Sequence, residues 1–154
     1  MAISVTNAMP TSFKVEILKA VHNFTASTGN IFKLALMKAT AAGSGTYGAA
    51  TTSYDTLVSN SDELAATGGY STGGNTLTSV TPVANGTAAV CDFDNTTWSG
   101  ATFTTCGGII YNDTAAGNPA CAVLSFGGDQ QVTSGDFQIQ FPSPTASTAI
   151  IRIV

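Results

Sequence analysis

Three cysteines, Cys91, Cys106 and Cys121, stand at equal intervals of fifteen residues, and the one histidine, His22, lies far upstream of them. A thiol or hydroxyl nucleophile needs a base and an orienting group at its side. This chain offers a single imidazole for that work. His22 follows Val21 in a segment of helical periodicity, and a surface or helix-end position accounts for it. Zinc would ask for paired short spacings such as Cys-x-x-Cys with further ligands. An odd, widely spaced set fits buried free thiols instead. The equal spacing points to three successive strands, each carrying its cysteine at a similar place, in a meander.

The densest cluster of reactive residue types is CDFDNTTWSGATFTTCGGIIYND, Cys91 to Asp113, which has no lysine, arginine or histidine within it. Asp92 and Asp94 flank Phe93, so on a strand both carboxylates share the face opposite the phenylalanine. Alternating hard oxygens of this kind suit calcium, but the full loop pattern with its glycine and terminal glutamate is missing. A strand end followed by an Asp-Asn turn explains the residues better. The pairs Gly73–Gly74, Gly107–Gly108 and Gly127–Gly128 lack the lysine and following helix of a phosphate loop, and read as bends and bulges. Trp98 and Tyr111 have faces that could stack on a sugar ring, but a lone tryptophan beside a turn fits a core plug between two sheets. The expectation is a central hairpin in which Trp98 and Phe103 fill the core, Asp94 and Asn95 turn the chain, and the acids face water. No catalytic residue, metal ligand or cofactor site is expected.

Those side chains need a scaffold, and composition says what kind. The chain is 44% hydrophobic and only 9% charged, whereas globular domains average about 25% charged. Gly, Ala, Ser and Thr take the place of the missing charge. Such a surface suits a protein packed against others. The cations Lys14, Lys19, Lys33 and Lys38 precede Arg152, while the stretch from Ala39 to Ile151 holds eight acids and no lysine or arginine. Four dispersed lysines do not make a nucleic-acid face. They read as ordinary solvated lysines, or else as a basic edge that meets an acidic face of a neighbouring subunit. The start, MAISVTNAMPTSFKVEILK, lacks a basic region followed by an apolar run and a cleavage site, and no apolar run approaches the ~20 residues of a membrane span. The expectation is a protein made in the cytoplasm, with no membrane partner.

PTSFKVEILKAVHNF carries helix start signals at Pro10, Thr11 and Ser12, and Phe13, Ile17, Val21 and Phe24 recur at helical spacing, which predicts one helix over about 11–23. TASTGN, residues 25–30, is a turn. IFKLALMK sets Phe32, Leu34 and Leu36 opposite Lys33, a half-buried strand. Residues 40–53 read as a loop, and SDELAA as a possible helical turn. From TLTSVTPV onward, TAAVCDF, GATFTT, CGGIIYN, CAVLSFG, DFQIQF and TAIIRIV are short β-branched or aromatic runs separated by turn residues. Together these make a single mainly β domain spanning 1–154, a β-sandwich of roughly eight strands with jelly-roll or Greek-key character and one short N-terminal helix.

Several of these stretches also carry a resemblance. MAISVTNAMPTSFKVEIL, GGYSTGGNTL, CDFDNTTWSGATFTTCGGIIYND, AVLSFGGD and FQIQFP look like a family of small tailed-bacteriophage virion proteins. Those relatives have a helix near the start, a W-x(4)-F/I-T hairpin, an IYN segment, an FGGD segment and a terminal apolar strand. Where they commonly carry arginine before the G-x-I-Y segment, this chain has Cys106, so a polar contact at that point is not carried over. The resemblance implies a multi-copy structural component of the virion with no enzyme activity. Its partners would be the major capsid protein or other virion proteins, as a cement or decoration protein on the head. The alternative is a tail, baseplate or fibre component that contacts a host receptor or glycan. Lys14, Lys19, Lys33, Ile151, Arg152 and Ile153 are the expected interface residues, the lysines meeting a more acidic partner and the terminal strand offering apolar burial.

Overall fold

Phe32 to Met37 is apolar at every position but Lys33, and such a run belongs to a strand covered on both faces rather than one. The computed structural model, which describes residues 1–154, shows why. Strand β1 (Ser4–Val5) and helix α1 (Thr11–Leu18) are followed by β2 (Phe32–Leu36), β3 (Thr46–Tyr47) and helix α2 (Tyr54–Ser59). The strands β4 (Asn75–Leu77), β5 (Ser79–Asn85), β6 (Ala88–Phe93), β7 (Thr96–Asn112), β8 (Ala120–Ile139) and β9 (Ile151–Ile153) complete the chain. A four-stranded antiparallel sheet runs in the order β4-β2-β7-β8, a three-stranded antiparallel sheet in the order β5-β6-β9, and β1 pairs with β3 in parallel. The protein is mainly β, as its alternating apolar runs predict.

Leu34, Leu36 and Ile110 point from one face of the large sheet into a core shared with Cys91 and Phe93 of β6 and Ile151 of β9. Ala35, Met37, Ile109, Tyr111 and Val123 point from the other face into a second core, closed by Ile3, Tyr47, Tyr54 and Leu57. The strand predicted as half-buried is therefore buried on both sides. Lys33 alone escapes, by reaching Asp113 Oδ2 at 2.9 Å. Phe24 stacks on Phe32 in the first core with centroids 4.3 Å apart, and Tyr54 on Tyr111 in the second at 4.4 Å. Each aromatic so enclosed contributes on the order of 2–3 kcal/mol of burial.

Two pairs of predicted short strands are continuous. GATFTT and CGGIIYN are both parts of β7, and CAVLSFG and DFQIQF both fall largely within β8. The break that sequence turn residues imply at Gly127–Gly128 is a bulge: Thr105 pairs with Gln130 and Gly107 with Ser125, so four residues of β8 loop out opposite one of β7. Both glycines have positive φ there. Gly107 and Gly108 neither bend nor bulge outward. A Cβ on Gly108 would meet Ala35 O at 2.9 Å, so these positions let backbones pack closely.

The helix predicted over 11–23 ends at Leu18, and Ala20 at φ 56 reverses the chain. Val21 to Phe24 belong to no helix, so Phe24 reaches the core from irregular chain rather than from the helical stripe. Leu18, the last residue of the helix, is 89% exposed. SDELAA is not helical; the helix precedes it as α2. Cys91, Cys106 and Cys121 do fall on the successive strands β6, β7 and β8 as buried free thiols, but β6 belongs to the other sheet, so only β7 and β8 form the meander.

Candidate functional site

Eight acids between Ala39 and Ile151 have no lysine or arginine near them in sequence, so the buried ones need other donors. Backbone amides and phenols supply them. Asp62, 1% exposed, accepts from Ser44 N at 3.1 Å and Gly45 N at 2.7 Å, and from the Tyr47 hydroxyl at 2.8 Å. Glu63 accepts from the hydroxyls of Tyr54 (2.7 Å) and Tyr70 (2.8 Å) and from Gly73 N (2.6 Å). Tyr70 and Tyr54 are held protonated, their phenol pKa raised first by burial and then by Glu63. On the surface, Asp129 at the β8 bulge accepts from the amide and hydroxyl of Thr40, both at 2.7 Å, which lowers its pKa. These carboxylates tie loops to strands. Asp94 is exposed, as expected, but Asp92 is only partly so and its Oδ1 is enclosed. Phe93 on the opposite face is in the core, and Trp98 and Phe103 fill it beside Tyr70 and Phe137.

His22 is not at the surface. Its side chain is fully enclosed, with Nε2 at 2.9 Å from Glu16 Oε2 and Nδ1 at 3.1 Å from Asn112 Nδ2 and 3.8 Å from Cys121 Sγ. The amide oxygen of Asn112 accepts from Thr114 N and Ala115 N, which turns its NH2 toward His22. The imidazole therefore accepts at Nδ1 and donates from Nε2 to Glu16. Cysteine, histidine and glutamate stand in the order of a nucleophile, its base and an orienting acid. Burial pushes the Cys121 thiol well above its ordinary pKa, and Asn112 already occupies Nδ1. The cluster is a clasp between α1, β7 and β8. Sequence spacing could not reveal it, because His22 and Cys121 alone are 99 residues apart.

An apolar groove of about 370 Å³ lies between α1 and β9. Met9, Phe13, Ile17 and Leu18 form one wall, and Ile151, Ile153 and Val154 the other. Lys14 and Arg152 stand on its rim, and no carboxylate side chain lines it. Neither cation has an ion-pair partner in the chain; Arg152 donates only to Ala146 O. Ile153 is 59% exposed and Leu18 89%, an unusual state for branched aliphatics that lie side by side. The groove continues on both sides. Met9 is shared with a hollow over Ala122 and Leu124, and Ile17, Ile151 and Ile153 with one over Pro82 and Ala89.

Of the six expected interface residues, Lys14, Ile151, Arg152 and Ile153 are brought together here. Lys19 is exposed just past the end of α1, and Lys33 lies on β2 in its pair with Asp113. Met9, Leu18 and Val154 were not foreseen as partners of the terminal strand. The early apolar residues and the apolar C-terminal run were each visible in sequence, but not their meeting. No helix is long and apolar enough to cross a membrane. Comparison with protein-family models, with curated proteins and with solved structures finds no match to this chain.

Proposed function

We propose that this chain is a structural protein of a tailed-bacteriophage particle, and within it a cement protein that joins neighbouring subunits of the shell. The observation that carries this reading is the groove between α1 and β9. It combines contiguous exposed aliphatic surface with two unpaired cations on a chain otherwise poor in charge. Surfaces of that composition are used for association. The low charge and the hydroxyl-rich exterior suit permanent packing among neighbours, and the resemblance of CDFDNTTWSGATFTTCGGIIYND and AVLSFGGD to virion proteins supplies the context.

The role is binding rather than turnover. The one imidazole of the chain is enclosed and engaged on both nitrogens, and the thiol beside it is held protonated by burial.

Copy number is the test. Quantitative mass spectrometry of purified particles, with the major shell protein as internal standard, is expected to give copies on the order of hundreds, as shell symmetry requires. A count of about six to a few tens would instead place the protein on the tail or a fibre, the symmetry there being low.

A further inference from the structure

β9 is the outer strand of its sheet, and no strand pairs with its free edge. The groove takes residues from β9 and α1 but none from β6, so it lies on the side of β9 away from its own sheet. An open edge beside an apolar trough accepts an added strand. Along β9 the faces alternate: Ile151 is buried in the core, and Arg152 points to the other side, followed again by Ile153. A strand laid against this edge meets Ile151 and Ile153 on one face and Arg152 on the other. Directly opposed side chains stabilise a sheet when apolar faces apolar and acid faces base. The complementary segment therefore reads apolar–acidic–apolar, with Lys14 near the same carboxylate.

A second copy does not supply it. Antiparallel pairing of β9 with itself about Arg152 sets two guanidinium groups opposite each other, which is destabilising. The apolar–acidic–apolar triplets of this chain are Val15–Ile17 and Cys91–Phe93. The first is wound in α1 and the second is the middle strand of its sheet. Neither is free to dock.

Resting on the reading of the chain as a shell protein, we infer that the groove binds an extended apolar–acidic–apolar segment of a different protein in the shell, added as a fourth strand to β9. The test uses the full chain and a fluorescent five-residue peptide with Val-Glu-Val at its centre. Three comparison peptides carry Val-Lys-Val, Val-Gln-Val, and Val-Glu-Val with N-methylated backbone amides. In anisotropy titrations at low salt the acidic peptide is expected to bind at least about tenfold more tightly than the lysine peptide. Methylation should abolish binding, because it blocks the backbone pairing. The double variant Lys14→Glu with Arg152→Glu should reverse the preference, a gain of binding that misfolding cannot mimic.

Equal binding of acidic and lysine peptides, indifference to methylation, or no binding at millimolar peptide would each overturn the inference. These failures are separable from failure of the shell reading. A copy number in the hundreds with no peptide preference removes the groove inference alone. A tail-like copy number with the preference intact removes the shell role and leaves the strand-adding site standing.

Discussion

His22 joins three elements through two ring nitrogens, and its neighbours leave it one tautomer. Replacement by alanine strands the amide of Asn112 and a part-buried Glu16, so His22→Ala should cost about 2–4 kcal/mol in urea denaturation. Glu16→Gln keeps an acceptor facing Nε2 and should cost about 1 kcal/mol. The thiols set a second expectation. Burial raises Cys91 to about 12, with Asp92 adding to it, and raises Cys121 and Cys106 above the ordinary thiol range. Above that ordinary range the unfolded chain releases thiol protons that the folded chain retains. This part of the stability is thus complete below the ordinary thiol pKa and is lost as pH rises toward about 12, by about 1.4 kcal/mol per pH unit for each fully separated group. Denaturation midpoints measured at neutral and alkaline pH should fall accordingly, and native thiols should resist alkylation until the protein unfolds.

Among the elements, α1 is short because Ala20 turns left-handed and Glu16 is bound to His22 behind it. The periodicity of Phe13, Ile17, Val21 and Phe24 matched a longer helix only because irregular chain returned Phe24 to the same core. Loop 43–45 has no regular pairing of its own beyond Gly45 to Ser4, and is tied down by Asp62. Asp62→Ala leaves two amides and a phenol short of an acceptor and should cost about 2–4 kcal/mol, with earliest loss of amide protection at Ser44 and Gly45. Gly74 sits at φ 76 with its backbone against Leu34 O, so a methyl there meets β2 directly. Gly74→Ala should lower the melting temperature more than Gly117→Ala, whose left-handed position opens to solvent.

At the scale of the whole molecule, the carboxylates of Asp62 and Glu63 are matched to amides and hydroxyls, and the cations are left at the margin. Lys33 is the lysine with an ion pair; Lys14 and Arg152 are free at the groove. Reversing both to glutamate touches no core contact and should change stability by less than about 0.5 kcal/mol in thermal or urea denaturation. A larger loss would mean that the rim charges belong to the fold and not to an interface.

The expected hairpin at Asp94–Asn95 is instead a crossing from the three-stranded sheet to the four-stranded one, but the mainly β class, the positions of most strands and the burial of Trp98 and Phe103 could all be read from residue order. They depend on alternation, turn chemistry and side-chain volume, which are properties of neighbours along the chain. Which strands join, that β2 is covered on both faces, that His22 is enclosed, and that Met9 and Leu18 flank Ile153 depend on contacts between distant segments. Local pattern is the same for a strand with one covered face or two when small residues such as Ala35 fill the second. The tertiary structure settled those matters because they arise only when separate runs compete for the same buried space.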